Sequence, residues 1–220
     1  MPQNEPVRID IVSDVVCPWC FIGKRRLEQA LALIPDIAVE LHWRPYFLND
    51  WIPRAGMSRA DYLTKKFGSV ERYNGIAQRV VAAAAAEGLS YAKDKISRQP
   101  NTLDCHRLIR WAGERGLAAP MKQQLMDLYF TAGADLTDRA VLTKAAADVG
   151  LDAGEVRAWL ASDKDVAEVE REAQTAKEAG IEGVPCFIFG GKFAVSGAQP
   201  AEYLAEAIER AAQANRDAAQ

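Results

Sequence analysis

The sequence predicts an α/β protein in which a βαβ unit and a later β-hairpin are separated by a large all-helical insertion. Three observations carry this. Residues 7–13 (VRIDIVS) and 37–44 (IAVELHWR) alternate apolar and polar residues on either side of a helical stretch. From residue 58 to about residue 180, helical patterning recurs with no convincing strand. Strand signals return only at PCFIF (185–189) and KFAVS (192–196).

Each element has its own signals. After the first strand, Cys17-Pro18-Trp19-Cys20 forms a turn into a helix whose apolar face is Leu27, Ala30, Leu31 and Ile34, at i, i+3, i+4 and i+7. Pro35 ends that helix. In the central block Ser58 and Ser69 are expected N-caps, and Gly88, Gly116 and Gly150 follow helix ends. Asp138 or Thr137 caps the helix that runs to Val149, and Ala82–Ala86 reads as a close-packed helix face. Gly190-Gly191 supplies the hairpin turn, and the last helix begins near Pro200. The resulting division is residues 1–55, the insertion at 56–165, and residues 166–220.

Composition excludes several classes of function. The formal net charge of −3 lacks the basic excess of a nucleic-acid binder. No apolar run approaches the ~20 residues needed to span a bilayer. The N-terminus MPQNEPVRIDIV has neither a basic n-region nor an apolar h-region, so a cytoplasmic location is expected. Four cysteines are too few for a secreted disulfide scaffold of this length. In a reducing compartment a close pair is expected to be catalytic or metal-binding.

Cys17 and Cys20 sit between a strand and a helix, where disulfide exchange finds what it requires: a low-pKa thiolate that attacks, and a nearby thiol that resolves the mixed disulfide. Cys17, expected to be the exposed one, meets unpaired backbone N–H groups and the positive end of the helix dipole. Pro18 suits the first helical position, where its missing N–H costs nothing. Lys24, Arg25 and Arg26 are expected to be solvated. Two or three units of thiolate stabilisation would raise the reduction potential by up to roughly 60–90 mV, and a Cys17 pKa below 7 is expected. Two other readings exist for the pair: inert buried thiols, or half of a zinc site. Zinc would need ligands from Cys105, His106, Cys186 and His42, which lack paired spacing. Gly183-Val184-Pro185, just before PCFIF, has the position at which thioredoxin-like folds place a cis-proline opposite the C-x-x-C motif, leaving the Val184 backbone free to pair with an extended substrate.

With these motifs in place, the chain resembles the DsbA family. It is most similar to the FrnE-like branch, which lies near the 2-hydroxychromene-2-carboxylate isomerases and kappa-class glutathione transferases. The resemblance rests on DVVCPWCFIGKRRLE, on EGL…NTLDCHRLIRWA, and on GVPCFIFGGKFAVSGAQ. It implies a thioredoxin fold with a large all-helical insertion and a protein-disulfide oxidoreductase. It also implies no resident cofactor or metal, and glutathione as a possible co-substrate. The implied partners are peptide or small-molecule thiols and disulfides, with neither nucleic acid nor membrane. Three departures stand out: Cys186 follows the proline, Cys105 occupies a position where small residues are common, and Ile11 takes the place of a buried acid six residues before Cys17. Asp14 is differently spaced and is given no proton-relay role.

Cys17 and Cys20 are therefore the candidate catalytic residues, and Pro18, Trp19, Val184, Pro185, His106 and Asn101 the candidate substrate-binding ones. Trp19 should be partly exposed and touch substrate. Asn101 either caps the helix over residues 102–115 or faces substrate, and His106 either binds substrate or buttresses the insertion. His42 is expected to be structural, and Trp51, Trp111 and Trp159 are expected in the core or at a domain interface. Cys105 and Cys186 read either as ordinary buried thiols or as extra redox partners, with Cys186 expected near the motif. The rival function on the same fold is a glutathione-dependent isomerase or transferase, which would use serine at the position of Cys17 and need no resolving thiol.

Overall fold

The computed structural model describes residues 5–218. Its central sheet has the order β2-β1-β5-β6, formed by β1 (Val7–Ser13), β2 (Val39–Pro45), β5 (Cys186–Phe189) and β6 (Phe193–Ser196). β1 runs parallel to β2, with Ile9 opposite Leu41, and antiparallel to β5, with Ile9 opposite Phe189. The parallel pair needs a crossover, which α1 (Pro18–Leu33) supplies. The β5–β6 hairpin turns through Gly190 and Gly191, both at positive φ (57° and 69°), as a two-residue type I′ turn demands.

Alternation along β1 sorts its side chains. Val7, Ile9 and Ile11 pack with Leu27, Ala30 and Ile34 of α1 and with Leu204 and Ile208 of α9 (Ala201–Ala218). Val12 points to the opposite face, against Tyr46, Cys186 and Ala176.

Between β2 and β5 lies the insertion, with α2 (Arg59–Phe67), α3 (Val70–Ala86), α4 (Leu103–Gly113) and α5 (Ala118–Asp127), a π-helical turn at Leu128–Ala132, then α6 (Arg139–Asp148) and α7 (Ala153–Ala161). The helix α8 (Val166–Glu178) leads back to the sheet. Ser58 and Ser69 cap α2 and α3 by accepting the amides of Asp61 and Arg72, and Asp138 rather than Thr137 caps α6. The insertion also holds a short antiparallel ribbon, β3 (Met57–Ser58) with β4 (Arg98–Gln99), too brief for alternation to reveal. The alanine run is not a close-packed face. Ala84 is buried while Ala82, Ala85 and Ala86 are exposed, so the run serves helix propensity more than packing.

The core of the insertion is continuous with the start of α1: Cys17, Cys20, Phe21 and Ile22 share one buried cluster with Leu108, Met121, Leu125, Phe130 and Leu142. Phe21 stacks on Phe130 with ring centroids 5.0 Å apart. Arg107, fully buried on α4, is satisfied by the carbonyls of Trp159, Ser162 and Lys164 and by Asp104, and so fastens α4 to the α7–α8 connection.

Candidate active site

Cys17 is the N-cap residue of α1, in extended conformation, and Pro18 occupies the first helical position. The chain reaches that cap through a turn in which the Cys17 amide donates to the Asp14 carbonyl at 3.3 Å. Cys20 lies one turn on, its amide returning to the Cys17 carbonyl at 3.0 Å. All four cysteines are free thiols.

The two sulfurs titrate in opposite directions. A hydrogen bond from the Cys20 thiol, helped by the backbone amides of Cys20 and Trp19, holds the Cys17 thiol below its ordinary value against the opposing effects of burial and of the Asp14 charge. Burial and the Cys17 thiolate push Cys20 well above its ordinary value. The pair thus sets a thiol inclined to ionise beside one inclined to keep its proton, the division of roles that exchange requires.

The expectation that Cys17 is exposed is corrected: only 4% of its surface is accessible, because the insertion closes over the motif and Val184 approaches from the strand side. Cys17 Sγ faces the Val184 carbonyl at 3.5 Å. The Val184–Pro185 peptide bond is cis. Gly23 makes the approach of Pro185 possible, since a Cβ there would lie 2.8 Å from Pro185 Cγ. Cys17, Pro18, Cys20, Val184 and Pro185 therefore form one constellation. Trp19, 39% exposed, projects from the same turn into solvent.

The remaining predicted residues have other settings. Asn101 is not the N-cap of α4, which is Thr102, but sits one residue before it, accepting the Leu103 amide at 3.0 Å and donating to the Ile52 carbonyl at 2.9 Å. It also lines a groove with Phe47, Asp50 and Lys177. His106 is buried on α4 with Nε2 3.4 Å from Asp14 Oδ1, and its ring packs edge-on against Phe47. Half-exposed His42 meets Glu40 at 2.9 Å. Trp111 is in the core, with Trp159 tilted against it at 5.1 Å, but Trp51 stacks on Tyr62 at the surface. Of the three cations expected in solvent, Lys24 is buried between Glu28 and Gln123. Arg26 is bonded to Glu87 and the Ala198 carbonyl, leaving Arg25 the most open.

Cys186 belongs to the cluster of Val12, Tyr46 and Ala176, whereas Cys105 shares the cluster of Cys17 and Cys20. Burial raises both thiols, Cys105 well above its ordinary value. Among the described residues no group of three or more His, Cys, Asp or Glu side chains could hold a metal ion.

Two charged groups that the sequence left without a role lie beneath the motif. Asp14, 1% exposed, accepts the Leu48 amide at 2.9 Å. Burial pushes its carboxyl up, but His106, the Leu48 amide and Lys122 outweigh this and hold it below its ordinary value. Lys122, also 1% exposed, enters from α5 and donates to the Ser13 carbonyl at 3.3 Å. The signal for Asp14 was its place three residues before Cys17. Lys122 had none, standing in the polar run KQQ.

A parallel–antiparallel four-stranded sheet, a C-x-x-C pair opening the first helix and a cis-proline facing it define a thioredoxin-fold protein with a helical insertion. Residues 8–209 match the model of the DSBA-like thioredoxin domain, and the chain belongs to that family. Among solved structures it is similar to a probable DsbA oxidoreductase, SCO1869, from Streptomyces coelicolor, at 36% identity and TM-score 0.85, covering 93% of this chain and 89% of that one. The fold is shared with a 2-hydroxychromene-2-carboxylate isomerase, at 14% identity and TM-score 0.71, covering 96% and 98%. It is shared too with the cytosolic disulfide reductase DsbM from Pseudomonas aeruginosa, solved with GSH, at 18% identity and TM-score 0.60, covering 97% and 100%.

Proposed function

We propose that the protein is a dithiol–disulfide oxidoreductase, with Cys17 as nucleophile and Cys20 as resolving thiol. The observation that carries this reading is geometric: Cys17 at the N-cap of α1, Cys20 one turn on, and the Val184 carbonyl of the cis Val184–Pro185 bond 3.5 Å from Cys17 Sγ, with burial and hydrogen bonding holding Cys17 low and Cys20 high. The Cys17 thiolate attacks a substrate disulfide, forming a mixed disulfide and releasing one thiolate. Cys20 then gives up its proton and attacks Cys17 Sγ, expelling the second thiolate and leaving the Cys17–Cys20 disulfide. The reverse sequence oxidises a substrate dithiol. The Val184 carbonyl, already beside Cys17 Sγ, is placed to receive an N–H from an extended substrate. Trp19 offers that substrate an apolar face. Peptide or small-molecule thiols, glutathione among them, are the proposed substrates. The FrnE-like branch is the proposed assignment within the family, and the cytoplasm the proposed location. Among the described residues no helix is long and apolar enough to cross a membrane.

The isomerase that shares the fold motivates a second reading, glutathione-dependent isomerisation or transfer. A resolving thiol favours exchange. Titration through glutathione redox buffers with acid quench and alkylation separates the two: a reversible two-electron transition, lost in Cys17→Ala, is expected. No Cys17–Cys20 disulfide at any ratio, with turnover of a glutathione conjugate, would replace exchange by the second reading.

A further inference from the structure

Resolution of the mixed disulfide requires Cys20 to lose a proton in a place that water does not reach. Position 11, on the strand below, is an isoleucine in the apolar core and offers no base. The base must come from another element, and Lys122 of α5 is the buried amine that reaches the seam. Among the described residues its one hydrogen bond is to the Ser13 carbonyl, long at 3.3 Å. The Trp43 ring of β2 flanks it, with Nζ 5.6 Å from the centroid. The titratable groups around it are Asp14 from the β1–α1 turn, Cys17 and Cys20 from α1, and Cys105 and His106 from α4. On its other side, Lys122 and His106 form part of the wall of a solvent-connected cavity of about 640 Å³ between β2 and α4, α5 and α8, with Arg44, Arg110 and Glu172 at its rim. None of the cysteines lines that cavity. The lysine therefore runs from the wall of the cavity to the Ser13 carbonyl, at the start of the turn that carries the motif.

We propose that Lys122 is the proton acceptor of Cys20, acting as a redox-linked proton carrier between the motif and this cavity. The inference rests on the dithiol-exchange reading. In the mixed disulfide Cys17 carries no charge, so the neutral amine of Lys122 takes the Cys20 proton. The Cys20 sulfur bonds to Cys17 Sγ, and the bond from Cys17 Sγ to the substrate sulfur breaks with its electron pair leaving on the substrate. The substrate disulfide gains two electrons, the protein dithiol loses them, and Lys122 passes the proton to water in the cavity. Electrostatics supports the cycle. Burial pushes Lys122 down to about 8, and the Asp14 carboxylate and the ionised Cys17 oppose that fall. When Cys17 is taken into a disulfide its negative charge is lost, one holding influence goes and the ammonium discharges. His106 does not substitute, because burial holds it below its ordinary value and its polar neighbour is Asp14.

The test is the pH dependence of the midpoint in glutathione buffers, read as protons taken up per two-electron reduction, for wild type, Lys122→Met and Lys122→Arg. Wild type should take up about two protons in the range between the measured alkylation pKa of Cys17 and about pH 8. Both variants should take up about one, since methionine carries no proton and arginine does not release one. Resolution of a preformed mixed disulfide at pH 7 should slow about 100-fold in both. Lys122→Arg should keep the lowered alkylation pKa of Cys17, which a merely structural role for Lys122 would not predict alongside a lost proton. A second proton that persists in the variants overturns the proposal. If the variants do not fold, one proton in wild type overturns it and two support it. A wild type without a Cys17–Cys20 couple would instead overturn the exchange reading, and this inference with it.

Discussion

Burying Lys122 has a cost that linkage makes measurable. Its ordinary value of 10.5 falls to about 8 on folding, so between those values the unfolded chain holds a proton that the folded chain has released. Stability therefore rises with pH across that window, and below pH 8 the folded state bears the full cost, of the order of 3 kcal/mol. Urea titrations at pH 7.5 and 9.5 should show wild type gaining on Lys122→Met as pH rises; a constant difference would refute the linkage. His106 acts at the acid end. Its folded value is depressed by burial, so as pH falls below about 6.5 the unfolded chain takes up a proton that the folded chain refuses, and stability drops. The urea midpoint of His106→Gln should decline less than wild type between pH 7 and 5. Cys17, held low, should be alkylated at a rate that levels off at a lower pH than that of a free thiol. The cysteine pair was legible in sequence because strand, turn, proline and helix are consecutive. Lys122 was not, because a polar residue in KQQ signals a solvated face and only the docking of α5 against the sheet buries it.

At the scale of the elements, α1 is fixed by two contacts of different kinds. Gly23 admits Pro185, whose rigid ring has little room to yield to the added methyl of Gly23→Ala. That substitution should destabilise by about 1–3 kcal/mol and displace Val184 from Cys17, slowing exchange while the far-ultraviolet spectrum is retained. The second contact is Phe21 on Phe130, both buried. Phe130→Ala removes a ring from a closed core and should cost about 3–5 kcal/mol in chemical denaturation. Elements with a strong local code were readable: the alternating strands, the glycine turn, and the serine and aspartate caps. The β3–β4 ribbon was not, since two residues per strand carry no period. Lys24 was also misread, because its burial depends on Gln123, which is remote in sequence.

Across the whole molecule, two apolar cores meet along one helix. The first turns of α1 belong to the core of the insertion, through Cys20, Phe21 and Ile22, and its later turns to the core under the sheet, through Leu27, Ala30 and Ile34. Long-range packing of this kind leaves no local trace, so the sequence could suggest that the insertion covers the motif but not which of its residues form the wall of the site. The consequence concerns how the amides of α1 meet deuterium. Detaching the insertion would strip one end of the helix, and melting the sheet would strip the other, so no partial opening frees the middle of α1 while leaving both cores intact. Its central amides should exchange only at the rate of global unfolding, while those of α2 and the first half of α3, packed on a satellite cluster around Tyr62 and Tyr73, exchange earlier. The nucleophile thus caps the helix whose middle is the last part of it to open.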